Sequence, residues 1–195
     1  MRNSLAWGVA ALALTACRTA PLPAPGAPPW TTREPQLQAR EHFGLKGRVA
    51  VAAAGTGFNA RLRWAQDGER AHLALEGPLG AGAVHVEADG SGLDVATASG
   101  AHLSGDAARA ELAARLGFDP PLASLRYWVL GVPDPARPAD EKLDPGRQRL
   151  SALEQDGWRI DYGDYVAVGS EWLPARLTLE RADVRVKLLV DDWQS

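Results

Sequence analysis

The stretch Phe58-Asn59-Ala60-Arg61-Leu62-Arg63-Trp64 decides the architecture. Apolar Phe58, Ala60, Leu62 and Trp64 alternate with polar Asn59, Arg61 and Arg63, the period-two signature of a strand with one buried and one wet face. The pattern repeats outward. Val49 and Val51 alternate with Arg48 and Ala50, Leu73 and Leu75 with His72 and Ala74, and Val84 and Val86 with His85 and Glu87. Leu93 and Val95 extend the series. Gly55-Thr56-Gly57, Asp67-Gly68, Gly77-Pro78-Leu79-Gly80 and Asp89-Gly90 punctuate it, so residues 45–103 read as an antiparallel meander.

Helical spacing frames this meander. Residues 30–43 are weakly helical, and Thr31 with Glu34 fits a capping box. Asp106 suits the N-cap of a helix over 107–116 that Gly117 stops, and Pro120-Pro121 opens another carrying Leu122, Leu125 and Val129. Residues 131–148, rich in Pro and Asp, read as a loop. The strand period then returns with Trp158, Ile160 and Tyr162, with Leu177 and Leu179, and with Val184, Val186, Leu188 and Val190. Crossover helices do not alternate with successive strands, so a parallel sheet is excluded. The expected fold is mainly β (α+β): a single antiparallel sheet of about ten strands, which must curl. It forms an incomplete, half barrel with about three helices covering an apolar cavity.

The N-terminus sets the compartment. Arg2 precedes an apolar segment from Ser4 to Leu14, too short to span a bilayer. The run Leu14-Thr15-Ala16-Cys17 then resembles the lipobox of bacterial lipoproteins, with the chain's one cysteine as its last residue. Residues 1–16 are expected as a cleaved signal peptide and Cys17 as the lipidated first residue of the mature chain. A plain signal peptide is the alternative, but it leaves an awkward free thiol in an exported protein. Residues 17–29 contain Pro21, Pro23, Pro25, Pro28 and Pro29 and read as a polyproline tether able to hold a domain, residues 30–195, about 30 Å or more from its anchor. Arg18 follows the cysteine; an Asp there typically retains bacterial lipoproteins in the inner membrane, so Arg18 implies outer-membrane sorting.

Charge excludes further classes. The chain of 195 residues holds 21 basic and 24 acidic residues, and cleavage removes one Arg and no acid, leaving the mature protein at −4. That balance argues against nucleic acid and against a polybasic patch for anionic lipid. Catalysis finds no support either. No HExxH, G-x-S-x-G or phosphate-binding glycine pattern occurs, so no enzyme activity, cofactor or metal is expected. Taking Gly77 opposite Gly82 pairs Leu73 with Val86 and Leu75 with Val84. His72 and His85 then form a diagonal pair on the other face, with Glu87 opposite His72, and read as a polar outer surface. Asp164 and Glu171, in a turn-rich region, read as solvated.

Two features remain. Trp64 and Trp158 share the apolar parity of their strands, as core or as the wall of a pocket. Leu79 sits at the tip of the turn Pro78-Leu79-Gly80-Ala81, where turn chemistry calls for a polar residue or Gly; it either folds back on the domain or projects.

Taken together, the fragments resemble the outer-membrane lipoprotein receptor, or LolB, family over essentially the whole chain. The matching pieces are Trp30, Gly47-Arg48-Val49-Ala50, Leu62-Arg63-Trp64-Ala65-Gln66, Gly77-Pro78-Leu79-Gly80 and the run Pro121 to Pro133. Gln155-Asp156-Gly157-Trp158, Tyr162, Tyr165, Leu173-Pro174 and Arg185 to Trp193 complete the set. The resemblance implies an eleven-stranded half barrel whose apolar interior holds acyl chains, here walled by Trp64, Leu73, Leu75, Leu125, Trp128 and Trp158. It also implies a membrane-insertion loop at Pro78, Leu79 and Gly80. The implied partners are a periplasmic LolA-like carrier, acylated lipoprotein cargo and outer-membrane lipid, met by a monomer facing the periplasm. A lipid-anchored protein binding a small hydrophobic ligand, or serving a structural role, is the alternative on the same scaffold.

Overall fold

The computed structural model describes residues 28–194 except 54 and 81, and of Thr56 and Leu79 the backbone alone. The expected signal peptide, Cys17 and residues 17–27 of the tether lie outside the described residues. Helix α1 (Trp30–Gln38) leads into β1 (His42–Ala53), β2 (Thr56–Asp67), β3 (Arg70–Glu76), β4 (Val84–Asp89), β5 (Gly92–Thr97) and β6 (His102–Ser104). Helices α2 (Gly105–Leu116) and α3 (Leu122–Trp128) follow. The chain then forms β7 (Ala139–Leu143), β8 (Leu150–Gln155), β9 (Trp158–Tyr162), β10 (Tyr165–Val168), β11 (Glu171–Pro174), β12 (Arg176–Arg181) and β13 (Val184–Gln194).

Eleven strands make one antiparallel sheet in the order β6-β5-β4-β3-β2-β1-β13-β12-β9-β8-β7, and β10 and β11 form a separate hairpin. The ends of that order, β6 and β7, do not pair, so the curled sheet stays open. The register turns period-two sequences into apolar rows. Leu45 faces Trp64, Trp64 faces Leu73, Leu73 faces Val86, Val86 faces Val95 and Val95 faces Leu103. A second row runs Phe58, Val51, Val186, Leu179, Ile160 and Leu153. Such cross-strand pairs are the unit of sheet stability, and these two rows lie on the concave side under the helices.

Strands β1 and β13 join the halves of the sheet across a bulge at Lys46 and Gly47. A Cβ at Gly47 would sit 2.4 Å from the Leu189 carbonyl oxygen, so only glycine permits this approach. The main core gathers around Trp30, Leu37, Trp64, Trp128, Trp158 and Ile160. A separate cluster joins Val84, Val86, Leu93 and Val95 to Ala108 and Leu112 of α2.

Four local expectations need correction. Helix α1 begins at Trp30 with Pro29 in the cap position and no side-chain cap bond, so Thr31 and Glu34 form no capping box. Its start is set by tertiary ties instead: the Trp30 amide donates to Gln148 and its indole to Glu141, both at 2.8 Å. Asp106 lies in the first turn of α2 behind Ser104, where its charge complements the helix dipole. Residues 131–148 are no mere loop, because β7 pairs there with β8. Glu171 is not simply solvated: it accepts from buried Arg33 at 3.3 Å.

Candidate functional site

Between the curled sheet and its helices lies an apolar cavity of about 100 Å³. Strands β1, β2, β3, β12 and β13 supply its floor, through residues such as Val51, Leu62, Leu179 and Leu188. Leu112 and Leu116 of α2, Leu122 and Leu125 of α3, and Phe118 between the helices form its roof. Every lining residue is Val, Leu, Phe, Pro or Trp. The cavity sits between the two core clusters, where α2 leans on β5 and β6 while α3 is fixed to the main core.

Five of the six wall residues named from the sequence meet here: Trp64, Leu73, Leu75, Leu125 and Trp128 all line the cavity. Leu73, Leu75 and Leu125 are only half-buried, whereas Trp64 and Trp128 are fully enclosed. Trp158 does not reach the lining. It stands one layer behind, its ring 6.3 Å from Trp128 and 5.7 Å from Phe118, with Arg181 stacked over its face at 4.8 Å.

Two glutamines, quoted above only as part of the family resemblance and given no role there, keep the wall apolar. The Trp64 indole N–H donates to Gln66 at 3.0 Å, and the Gln66 amide donates on to the Gly68 carbonyl at 2.9 Å. The Trp128 N–H donates to Gln155 at 2.7 Å. Gln155 also accepts from the Asp134 amide and donates to the Asp134 and Arg137 carbonyls, so all of its bonding capacity is spent. Both indole N–H groups are therefore bonded within the protein and present no unpaired donor to the cavity. The detectable signal is a polar residue on inward parity, two positions after Trp64 and two after Leu153. The Tyr162 hydroxyl donates to the Trp128 carbonyl at 3.1 Å, and burial pushes its pKa well above the usual value, so it stays a neutral donor.

The remaining sequence candidates fall elsewhere. Pro78–Gly80 forms a 3₁₀ turn between β3 and β4, with the Gly80 amide donating to the Gly77 carbonyl at 3.1 Å. Pro78 and Gly80 are exposed, and Gly80 takes φ +77°, a conformation glycine adopts freely. The side chain of Leu79 lies outside the described residues, as does Cys17. His72 faces Glu87 and His85 faces Ala74 on the opposite side of the sheet from the cavity, in the expected register. Among the described residues, no helix is long and apolar enough to cross a membrane.

An open antiparallel half barrel with helices over an apolar cavity defines a class of hydrophobic-cavity proteins. The fold is shared with a LolA superfamily protein from Nitrosomonas europaea, at TM-score 0.53 and 11% identity over 86% of this chain and 94% of that one. A DUF1329 family protein from Desulfovibrio piger shares it at TM-score 0.51 and 6% identity, over 85% and 90%. Sequence carries the assignment further. Residues 41–193 match the family model for outer membrane lipoprotein LolB. The outer-membrane lipoprotein LolB of Nitrosococcus oceani is 33% identical over 93% of this chain and 92% of its own length. That of Pseudomonas putida strain F1 is 33% identical over 85% and 80%. The chain belongs to the LolB family.

Proposed function

We propose that the protein is an outer-membrane-anchored receptor that accepts acylated lipoproteins from a periplasmic carrier and inserts them into the outer membrane. The observation that carries this reading is the wholly apolar cavity, roofed by helices and with its indole N–H groups tied back. An acyl chain brings about 0.8 kcal/mol per methylene, so exposing one sixteen-carbon chain to water costs roughly 10 kcal/mol. Acylated cargo therefore has to pass directly from one apolar shelter to the next.

The cavity volume supports a receptor that opens on loading. About 100 Å³ is less than the roughly 150 Å³ that accommodates benzene in an engineered cavity. An acyl chain fits only if the roof lifts, and the free energy of burying the chain supplies the work. Lipidation at Cys17 fixes the location, the tether gives reach, and the turn Pro78-Leu79-Gly80 meets the bilayer. Release then runs downhill by differential affinity, with the membrane the strongest acceptor.

The test uses the chain from Arg18 onward, which lacks the acylated cysteine and keeps every core residue. Mixed with a carrier loaded with triacylated lipoprotein, it should take the cargo, as read by pull-down of the receptor–cargo complex. Delivery should lose membrane selectivity. Failure to accept cargo would refute the reading, and uptake of free fatty acid alone would favour the small-ligand alternative.

A further inference from the structure

The face of the sheet opposite the cavity carries a groove of about 640 Å³. Arg48 of β1, Arg61 of β2, Arg176 of β12 and Lys187 of β13 line it, and its rim reaches Gly77 and Pro78 at the insertion turn. Each cation lies one residue from a cavity-lining or inward apolar neighbour (Val49, Leu62, Leu177, Leu188), so alternation puts all four on the far face.

Their placement is costly for the fold alone. Arg48 and Arg61 are direct cross-strand partners, and like charges directly opposite destabilise a sheet; Glu76, which faces Arg61 from β3 and also lines the groove, offsets part of that cost. Lys187 pairs with Ala50 and with Thr178, which makes it the diagonal neighbour of both Arg48 and Arg176. The result is a cationic stripe across four adjacent strands. Arg48 is neutralised by Asp191 at 2.8 Å and Arg176 by Asp164 at 3.0 Å, while Glu76 is held by Arg63 at 3.4 Å. Among the described residues, Arg61 and Lys187 have no carboxylate within salt-bridge distance. The net acidity of the chain conceals this stripe, because its four residues are scattered from 48 to 187.

We infer that this groove binds the phosphate of anionic lipid headgroups when the Pro78 turn meets the membrane. Charge complementarity selects the ligand, and continuity with the turn places it: a bilayer touched by Pro78 presents its headgroup layer to the adjacent stripe. Phosphate at Arg61 and Lys187 supplies the counter-charge that no salt-bridging carboxylate gives these two cations among the described residues. The inference rests on the proposed membrane encounter, but vesicle binding without cargo reads it separately from lipoprotein transfer.

The experiment measures co-flotation of the chain from Arg18 with phosphatidylcholine vesicles, with and without phosphatidylglycerol. Phosphatidylglycerol should strengthen binding, and added salt should reverse the gain. A cation near an anionic surface contributes about fivefold in partitioning, so the double variant Arg61→Gln/Lys187→Gln should lose roughly thirtyfold. Lys142→Gln, which removes one positive charge on edge strand β7, should shift binding less than about twofold, against about fivefold for Arg61→Gln or Lys187→Gln alone. Thermal unfolding supplies a readout of opposite sign: the double variant should be at least as stable as the parent, since it relieves repulsion. Equal binding to both vesicle types, or an unaltered double variant, overturns the inference. Lost acceptance of cargo from the carrier, with vesicle binding intact, overturns it too and makes the groove a protein-docking face.

Discussion

Filling the cavity should stabilise the protein while impairing its function, and Leu75 is the place to do it. This half-buried residue lines the cavity from β3, between Leu62 and Val84 in the register. A buried void costs about 24 cal/mol per Å³, so a part-open volume of about 100 Å³ holds at most about 2.4 kcal/mol of recoverable stability. Leu75→Phe adds three carbons and recovers only part, about 0.5–1 kcal/mol. For a domain of this size that raises Tm by about 1–4 °C. Leu75→Ala should cost about 2–3 kcal/mol, softened by its partial exposure, while enlarging the cavity. Acceptance of acylated cargo should run the other way: Ala at least as good as Leu, Phe severalfold worse. Leu75→Glu should abolish it, because the carboxylate would face acyl chain. Denaturation midpoints and carrier-to-receptor transfer, measured on the same preparations, give the two rankings. Parallel rankings would refute the argument, as would a Glu variant with an intact circular dichroism spectrum that still accepts cargo.

Three further predictions concern other parts of the molecule. Leu79→Glu should leave unfolding and cargo acceptance within experimental error of the parent and block insertion into liposomes, so that loaded receptor accumulates; equal loss of both steps would mean that Leu79 packs on the domain. Gln155→Ala strands the Trp128 indole and the Asp134 amide in the interior, and each buried unsatisfied group costs about 1–3 kcal/mol, so chemical denaturation should show a loss of about 2–6 kcal/mol. Glu34 is raised above its ordinary pKa of 4.5, first by burial and then by Glu141. Folding therefore disfavours its ionised form, a penalty present above the folded-state pKa and absent below the unfolded one. Glu34→Gln should be the more stable chain at neutral pH, with the difference closing as pH falls through the carboxylate range in a Tm-versus-pH series.

The sheet was largely legible because period two leaves few choices. Once the turn at Pro78 set Leu73 against Val86, every residue of the row from Leu45 to Leu103 had its face assigned. Pairing between β1 and β13 was beyond local reading, since it depends on chain closure and on a bulge that only Gly47 tolerates. Strand β7 was hidden by composition: Ala139-Asp140-Glu141-Lys142-Leu143 is an edge strand with almost no buried face, and such strands shed the apolar signal. The start of α1 misled for a related reason. Bonds from distant Glu141 and Gln148 hold it, and a local cap search cannot find those. Of the cavity wall, parity identified Trp64, Leu73 and Leu75 correctly as inward residues. The same parity set Trp158 inward without revealing that Phe118 and Trp128 stand in front of it.

The small size of the part-open cavity bears on how a receptor without a nucleotide-binding motif lets go. An acyl chain that enters must part the roof from the sheet, and the apparent affinity falls by whatever fraction of molecules is open at equilibrium. The two core clusters show where that cost resides: α2 rests on β5 and β6 with its own small cluster, which meets the main core holding most of α3 through Leu73 and Leu122. A bilayer imposes no comparable opening cost on an acyl chain. On the proposed function, closure of the roof therefore weakens the receptor's hold on its cargo without any polar residue in the wall. A roof made too easy to open should thus bind cargo more tightly and insert it more slowly.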